Sequence, residues 1–140
     1  MKNLSLITLS VLMLVFVGVA PLQAQSINVS GASRVNVPFQ FNVGHEKFPA
    51  GDYLIAPVLD SSIRIQNISG GKATVVLTNW TSGGRVQGPK LVFNTYGDRH
   101  FLSQFWLHRS DIGRQLFVSA EEIEVARTVS QKSTVVMVRK

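Results

Sequence analysis

Residues 90–107 read KLVFNTYGDRHFLSQFWL, and this stretch decides the fold. Two runs rich in aromatic and β-branched residues flank Gly97-Asp98, a glycine-first pair suited to a two-residue type II′ hairpin turn. Such a turn sets Thr95 opposite His100, Phe93 opposite Leu102 and Leu91 opposite Gln104. One face of the hairpin then carries Leu91, Phe93, Leu102 and Trp106. The other carries Val92, Tyr96, Phe101, Phe105 and Leu107. A hairpin apolar on both faces has to be covered on both, so it is expected at the centre of a small β domain.

Outward from this hairpin the chain is punctuated as short strands. Residues 34–43 alternate strictly, with Val35, Val37, Phe39, Phe41 and Val43 on one side and Asn36, Pro38, Gln40 and Asn42 on the other. This is the pattern of a half-buried strand, and Pro38, which has no N–H, places it at an edge or a bulge. A connection over residues 44–52 leads to strands over residues 53–59, 63–68 and 73–78, separated by turn-type residues, as in an antiparallel meander. Residues 79–89 (NWTSGGRVQGP) are expected as the longest loop, residues 114–118 as one further short strand, and residues 134–138 as a terminal strand.

The one clear helix start is Ser119-Ala120-Glu121-Glu122. Ser119 and Glu122 have capping-box spacing, and Val118 with Ile123 fits a hydrophobic staple. The helix is expected to end near Val129 and to cover the sheet with Ile123, Ala126 and Val129. The fold class is therefore all-β: a small antiparallel barrel, or else a two-sheet sandwich, of seven to eight short strands with one short C-terminal helix. Of the two, the barrel is preferred because closure removes exposed strand edges.

The N-terminus has the layout of a secretory signal peptide: Lys2, an apolar run from Leu4 to Val19, and a small residue at Ala24. We expect residues 1–24 to be removed, residues 25–140 to form a single β domain, and no transmembrane segment to remain after cleavage. The destination is the periplasm or the exterior. The chain carries 14 Lys and Arg against 8 Asp and Glu, a net charge of +6 that falls to +5 when Lys2 leaves with the signal. The basic residues are scattered rather than clustered, which does not suit nucleic acid but does suit weak attraction to anionic envelope polymers. Cysteine is absent, which excludes thiol catalysis, thiolate metal sites and disulfide stabilisation.

Four segments together resemble a known family. Val37-Pro38-Phe39-x-Phe41-x-Val43-Gly44, Pro49-Ala50-Gly51-x-Tyr53, Leu91-Val92-Phe93-x-x-Tyr96-Gly97-Asp98-x-x-Phe101-Leu102 and Trp106 are similar, in that order, to motifs of small exported bacterial β-rich proteins of unknown function. The resemblance implies export and a β-rich fold. It implies no activity, ligand or catalytic residue.

Chemistry-bearing residues are sparse. Asp98, His100 and His108 are the nearest approach to a catalytic or metal set, but a zinc site would need His45 or Glu46 from a distant loop. Asp98 has a sufficient explanation in the turn. No G-x-S-x-G motif occurs, and Gly83 to Lys90 fails as a phosphate loop because Pro89 stands where lysine is needed. No catalytic residue, metal ligand or cofactor is therefore assigned. The candidates for ligand contact are amphipathic or basic side chains: Trp80, Arg85, Tyr53, Tyr96 and His100. The leading expectation is non-catalytic binding of a small apolar ligand or an envelope component. The alternative is a structural or protein-interaction role through an edge strand or residues 131–140, and the third is a hydrolase or metal site around Asp98 and His100.

Overall fold

A computed structural model of the protein describes residues 31–83, 88–106 and 111–137. Residues 1–24, expected as a signal peptide, together with Arg85, Leu107 and His108, lie outside the described residues. The described chain forms ten strands and one helix: β1 (Ser33–Val37), β2 (Phe41–Val43), β3 (Glu46–Phe48), β4 (Gly51–Leu59), β5 (Ser62–Asn67), β6 (Ala73–Ser82), β7 (Lys90–Tyr96), β8 (Arg99–Trp106), β9 (Ile112–Leu116), α1 (Ala120–Ala126) and β10 (Gln131–Met137). The all-β class with a single short helix holds.

The sheet runs β1-β4-β5-β6-β9-β8, continues from β8 to β7 and β10, and carries the β2–β3 hairpin on β8. It is not closed into a barrel: β1 and β10 end it and pair with no further strand among the described residues. The physical reason lies partly in Pro38, which terminates the five-residue β1 and offers no N–H for a closing ladder. The residues 34–43 expected as one strand therefore divide at Pro38 into β1, paired with β4, and β2, paired with β3. β2 also touches β8 in parallel at Asn42 and Phe101, the one departure from antiparallel pairing among the described residues.

β6 is longer than its local sequence suggests, because it serves two neighbours. Its first half pairs with β5, from Gln66 opposite Ala73 to Ser62 opposite Leu77, and its second half pairs with β9, from Thr78 opposite Leu116 to Ser82 opposite Ile112. Residues 79–82, expected in a loop, are thus strand, and Trp80 is a strand residue. Backbone pairing here outweighs the weak strand preference of Asn79 and Ser82.

A single core lies on the inner face. Phe41 meets Tyr53 and Phe93 edge-on at centroid distances of 5.0 and 5.4 Å and stacks on Phe48 at 5.6 Å. Val35, Val37, Val43, Ile55, Ile63, Ile65, Leu91, Leu102, Phe105 and Leu116 complete it. Each such side chain removed from water is worth about 1.5–3 kcal/mol, the main stabilising term in a domain without disulfides.

The central hairpin forms about Gly97, whose φ of 63° is the left-handed value a glycine-first turn requires. Thr95 faces His100 and Phe93 faces Leu102 as expected, but beyond them a β-bulge at Ser103 shifts the register, so Leu91 faces Phe105 instead of Gln104. One extra residue exchanges faces for everything after it. Phe105 therefore joins Leu91, Phe93 and Leu102 in the core, and Trp106 turns to the outer face. Trp106 is still buried, at 4% exposure, against Gly83 and Gly113: a Cβ on either glycine would stand 2.6 or 2.7 Å from its ring.

The helix is shorter than expected, and it docks by a different face. Ile123, Ala126 and Val129 are exposed, Ile123 at 46%, whereas Glu122 is buried. Ser119 Oγ caps the helix by accepting from the Glu122 N–H at 3.2 Å, but the Glu122 carboxylate turns away from the cap toward the sheet. Val118 and Ile123 are both exposed, contrary to the expected staple.

Candidate functional site

A polar concavity lies beside the turn of the central hairpin. A cleft of about 280 Å³ is lined by Gln40, Asn42 and Lys47 from the β2–β3 region and by Asp98, Arg99 and His100 from the hairpin. Local folding explains the convergence. The parallel step between Asn42 and Phe101 sets β2 beside the start of β8, and the β2–β3 pairing sets Lys47 opposite Asn42. Because Phe41 and Val43 point into the core, Asn42 between them points out toward the cleft. Asn42 is only 5% exposed. Lys47 is exposed, and its main-chain oxygen accepts from Lys72 Nζ at 2.7 Å.

His100 is held by a different partner from the one its sequence neighbourhood suggests. Its Nδ1 lies 2.9 Å from Thr95 Oγ1, which in turn lies 2.9 Å from Thr134 Oγ1 on β10. Its ring stacks on Phe39 at 4.0 Å. Burial pushes the imidazole below its ordinary pKa, with the Asp98 charge opposing that shift. Asp98 makes no hydrogen bond to it. A neutral imidazole set by threonine hydroxyls is a hydrogen-bonding group and not an activated acid–base pair. Among the described residues no three His, Cys, Asp or Glu side chains stand close enough to hold a metal ion.

Arg99, at the rim of the cleft, pairs with Glu121 of α1 and lies over the Phe101 ring at 5.3 Å. Tyr96 is buried: its hydroxyl donates to Glu122 Oε1 at 3.3 Å, and Asn94 Nδ2 donates to the same oxygen at 2.7 Å. Burial first, and then the Glu122 carboxylate, push the Tyr96 phenol above its ordinary pKa. Tyr96 thus anchors the helix and does not reach the cleft. Tyr53 is likewise a core residue, fully buried, with its hydroxyl donating to the Pro49 carbonyl. Of the five ligand candidates read from the sequence, His100 alone lines the cleft, Tyr53 and Tyr96 are structural, Trp80 lies elsewhere and Arg85 is outside the described residues.

Trp80 is 58% exposed at the other end of the sheet, where the Arg114 guanidinium carbon lies 3.4 Å from its ring centroid. Sequence reasoning missed Arg114, although a signal was present: period 2 puts it on the same face as the apolar Leu116. Asn42, Gln40 and Lys47 were missed because their neighbours come from β8, a contact that no local pattern announces.

Comparison of the chain with protein-family models, with curated proteins and with solved structures finds no significant match.

Proposed function

We propose that the protein is a non-catalytic exported domain that binds an anionic envelope component, and that the cleft beside the Gly97-Asp98 turn is where it does so. The observation that carries this reading is the convergence of six polar or charged side chains on one concavity, including Asn42, which is only 5% exposed. Amides, a carboxylate and a neutral imidazole suit the hydroxyls of a sugar, and Lys47, which forms no salt bridge among the described residues, suits an acidic substituent. The net charge of the chain favours the same class of partner. Export rests on the signal-peptide pattern of residues 1–24, and a non-catalytic role on the binding of His100 to Thr95 in place of Asp98. Titration with an oligogalacturonate should give binding that weakens with salt and weakens about two- to fivefold in Lys47→Ala. Arg127→Ala, on the far surface of the helix, should leave it unchanged. Equal losses in both variants, or none in either, would count against the cleft.

A second reading, an interaction protein that uses a sheet edge, is favoured by one observation. The unpaired edges of β1 and β10 flank a groove of about 460 Å³ lined by Asn36, Pro38, Val135, Val136 and Met137. Capture of an extended peptide there would protect β10 amides from hydrogen exchange.

A further inference from the structure

The end of the sheet remote from the cleft contains polar groups that the folded chain leaves unused. Arg114 is 5% exposed, and its Nε and Nη1 are buried without a hydrogen-bond partner among the described residues. Thr78 Oγ1 is buried and unpartnered too. These atoms belong together. Trp80 is opposite Arg114 and Thr78 is opposite Leu116 in the β6–β9 ladder, so Thr78, Trp80, Arg114 and Leu116 share one face in two adjacent rows. Phe105, opposite Arg114 on β8, marks that face as the inner one. The floor of this end is therefore apolar, its wall carries a guanidinium and a hydroxyl, and exposed Trp80 lies over the guanidinium as a cover.

Buried donors without acceptors are rare because each one costs about 1–3 kcal/mol, more when the group is charged. Burial lowers the Arg114 pKa, and the Asp60 charge opposes that shift, but among the described residues Asp60 forms no ion pair with it. The cation stays charged and still has donors to offer. What satisfies a guanidinium and a hydroxyl together is a group with several acceptor oxygens and a negative charge.

We propose that Arg114 and Thr78 form a binding site for a compact oxyanion, a phosphoryl or sulfate group, with Trp80 as a cover that swings aside to admit it. The site is separate from the hairpin cleft and stands or falls independently of the function proposed there. The anion accepts from Nε and Nη1 of Arg114 and from the Thr78 hydroxyl, and the Trp80 ring moves off the guanidinium face.

The full mature protein supplies its own reporters, since its two indoles, Trp80 and Trp106, sit in different places. Inorganic phosphate, titrated at constant ionic strength, should move the Trp80 indole N–H resonance saturably and leave that of Trp106 in place. Glucose 6-phosphate in a parallel titration tells a site for the bare ion from one that takes a substituted phosphoryl group. Arg114→Met keeps the stem and removes the donors. Because replacing a buried charge by an apolar isostere is often neutral or stabilising, this variant should fold and lose the response. Thr78→Val, which exchanges only the hydroxyl for a methyl, should weaken phosphate about threefold or more and keeps the test valid if Arg114→Met does not fold. An equal shift with chloride, a Trp80 signal that does not move, or an undiminished response in both variants would overturn the site.

Discussion

The outer face of the central hairpin is covered in two opposite ways. At the turn end, Tyr96 and Phe101 lie at 5.9 Å in an edge-on pair, and the nearby helix attaches through acids: Glu122 accepts from Asn94 and Tyr96, and Glu121 pairs with Arg99. At the open end, Trp106 is buried against two glycines, its indole N–H donating to Gln104 at 2.9 Å and Lys90 Nζ lying 5.3 Å above the ring. One end is fastened by directional hydrogen bonds to a carboxylate, the other by the shape of a flat ring against bare backbone. Apolar residues announce that a surface will be covered, but they do not announce by what.

The comparison predicts unequal losses. Trp106→Ala should be the most damaging change, about 3–5 kcal/mol in denaturant melts, because the glycine backbone on either side cannot move in to fill the space. A loss below about 1 kcal/mol would mean that the open end contributes little to the fold. Glu122→Ala should come next, at about 1–3 kcal/mol, since it leaves the buried Tyr96 hydroxyl and the Asn94 amide without their acceptor. If Glu122→Ala proved costlier than Trp106→Ala, the ranking of shape over hydrogen bonding would be reversed.

A smaller effect depends on pH. Burial holds the His100 pKa in the folded state below its usual value of 6.5, so the unfolded chain binds the proton more readily. The contribution of this group to stability is complete above pH 6.5 and is lost as pH falls through the lower folded value. His100→Gln should flatten that part of the stability–pH curve. Asp52, whose carboxylate accepts from Asn36 and Arg34 and is held below its usual 3.8, acts only at more acid pH, so the two windows can be separated. The smallest effect belongs to Ile123→Glu. With the helix docked by its acidic face, Ile123 points to solvent, and the change should stay within about 0.5 kcal/mol. A loss of several kcal/mol would mean that the helix also docks through its apolar residues.

The candidate site was legible in part. His100 and Asp98 were conspicuous as an imidazole–carboxylate pair at the hairpin turn, and both line the cleft. The physics between them was not legible, because Thr95 takes the imidazole nitrogen from across the strand and Phe39 takes the ring face. Trp80 stood out as an exposed aromatic, and it is one. Its partner Arg114 lies 34 positions on and reaches it only through the β6–β9 pairing. Tyr53 and Tyr96 show the opposite case: an amphipathic ring resembles a ligand contact in the sequence, but its hydroxyl has an internal acceptor.

The sequence by itself determined the strand-rich class, the central hairpin with its Gly97 turn, the N-cap at Ser119, and part of the core, since Val35, Val37, Phe41, Leu91, Phe93 and Leu102 follow from period 2. These are local properties, set by side-chain alternation and by the backbone freedom of single residues. Tertiary structure alone decided the Ser103 bulge that exchanges Phe105 and Trp106, the division of β6 between two neighbours, the docking of the helix through Glu122, and the failure of β1 and β10 to meet. Each of these depends on which distant strand supplies a hydrogen-bond partner. A local pattern can state that a backbone group or a buried carboxylate needs a partner, but only the assembled sheet determines which one it finds.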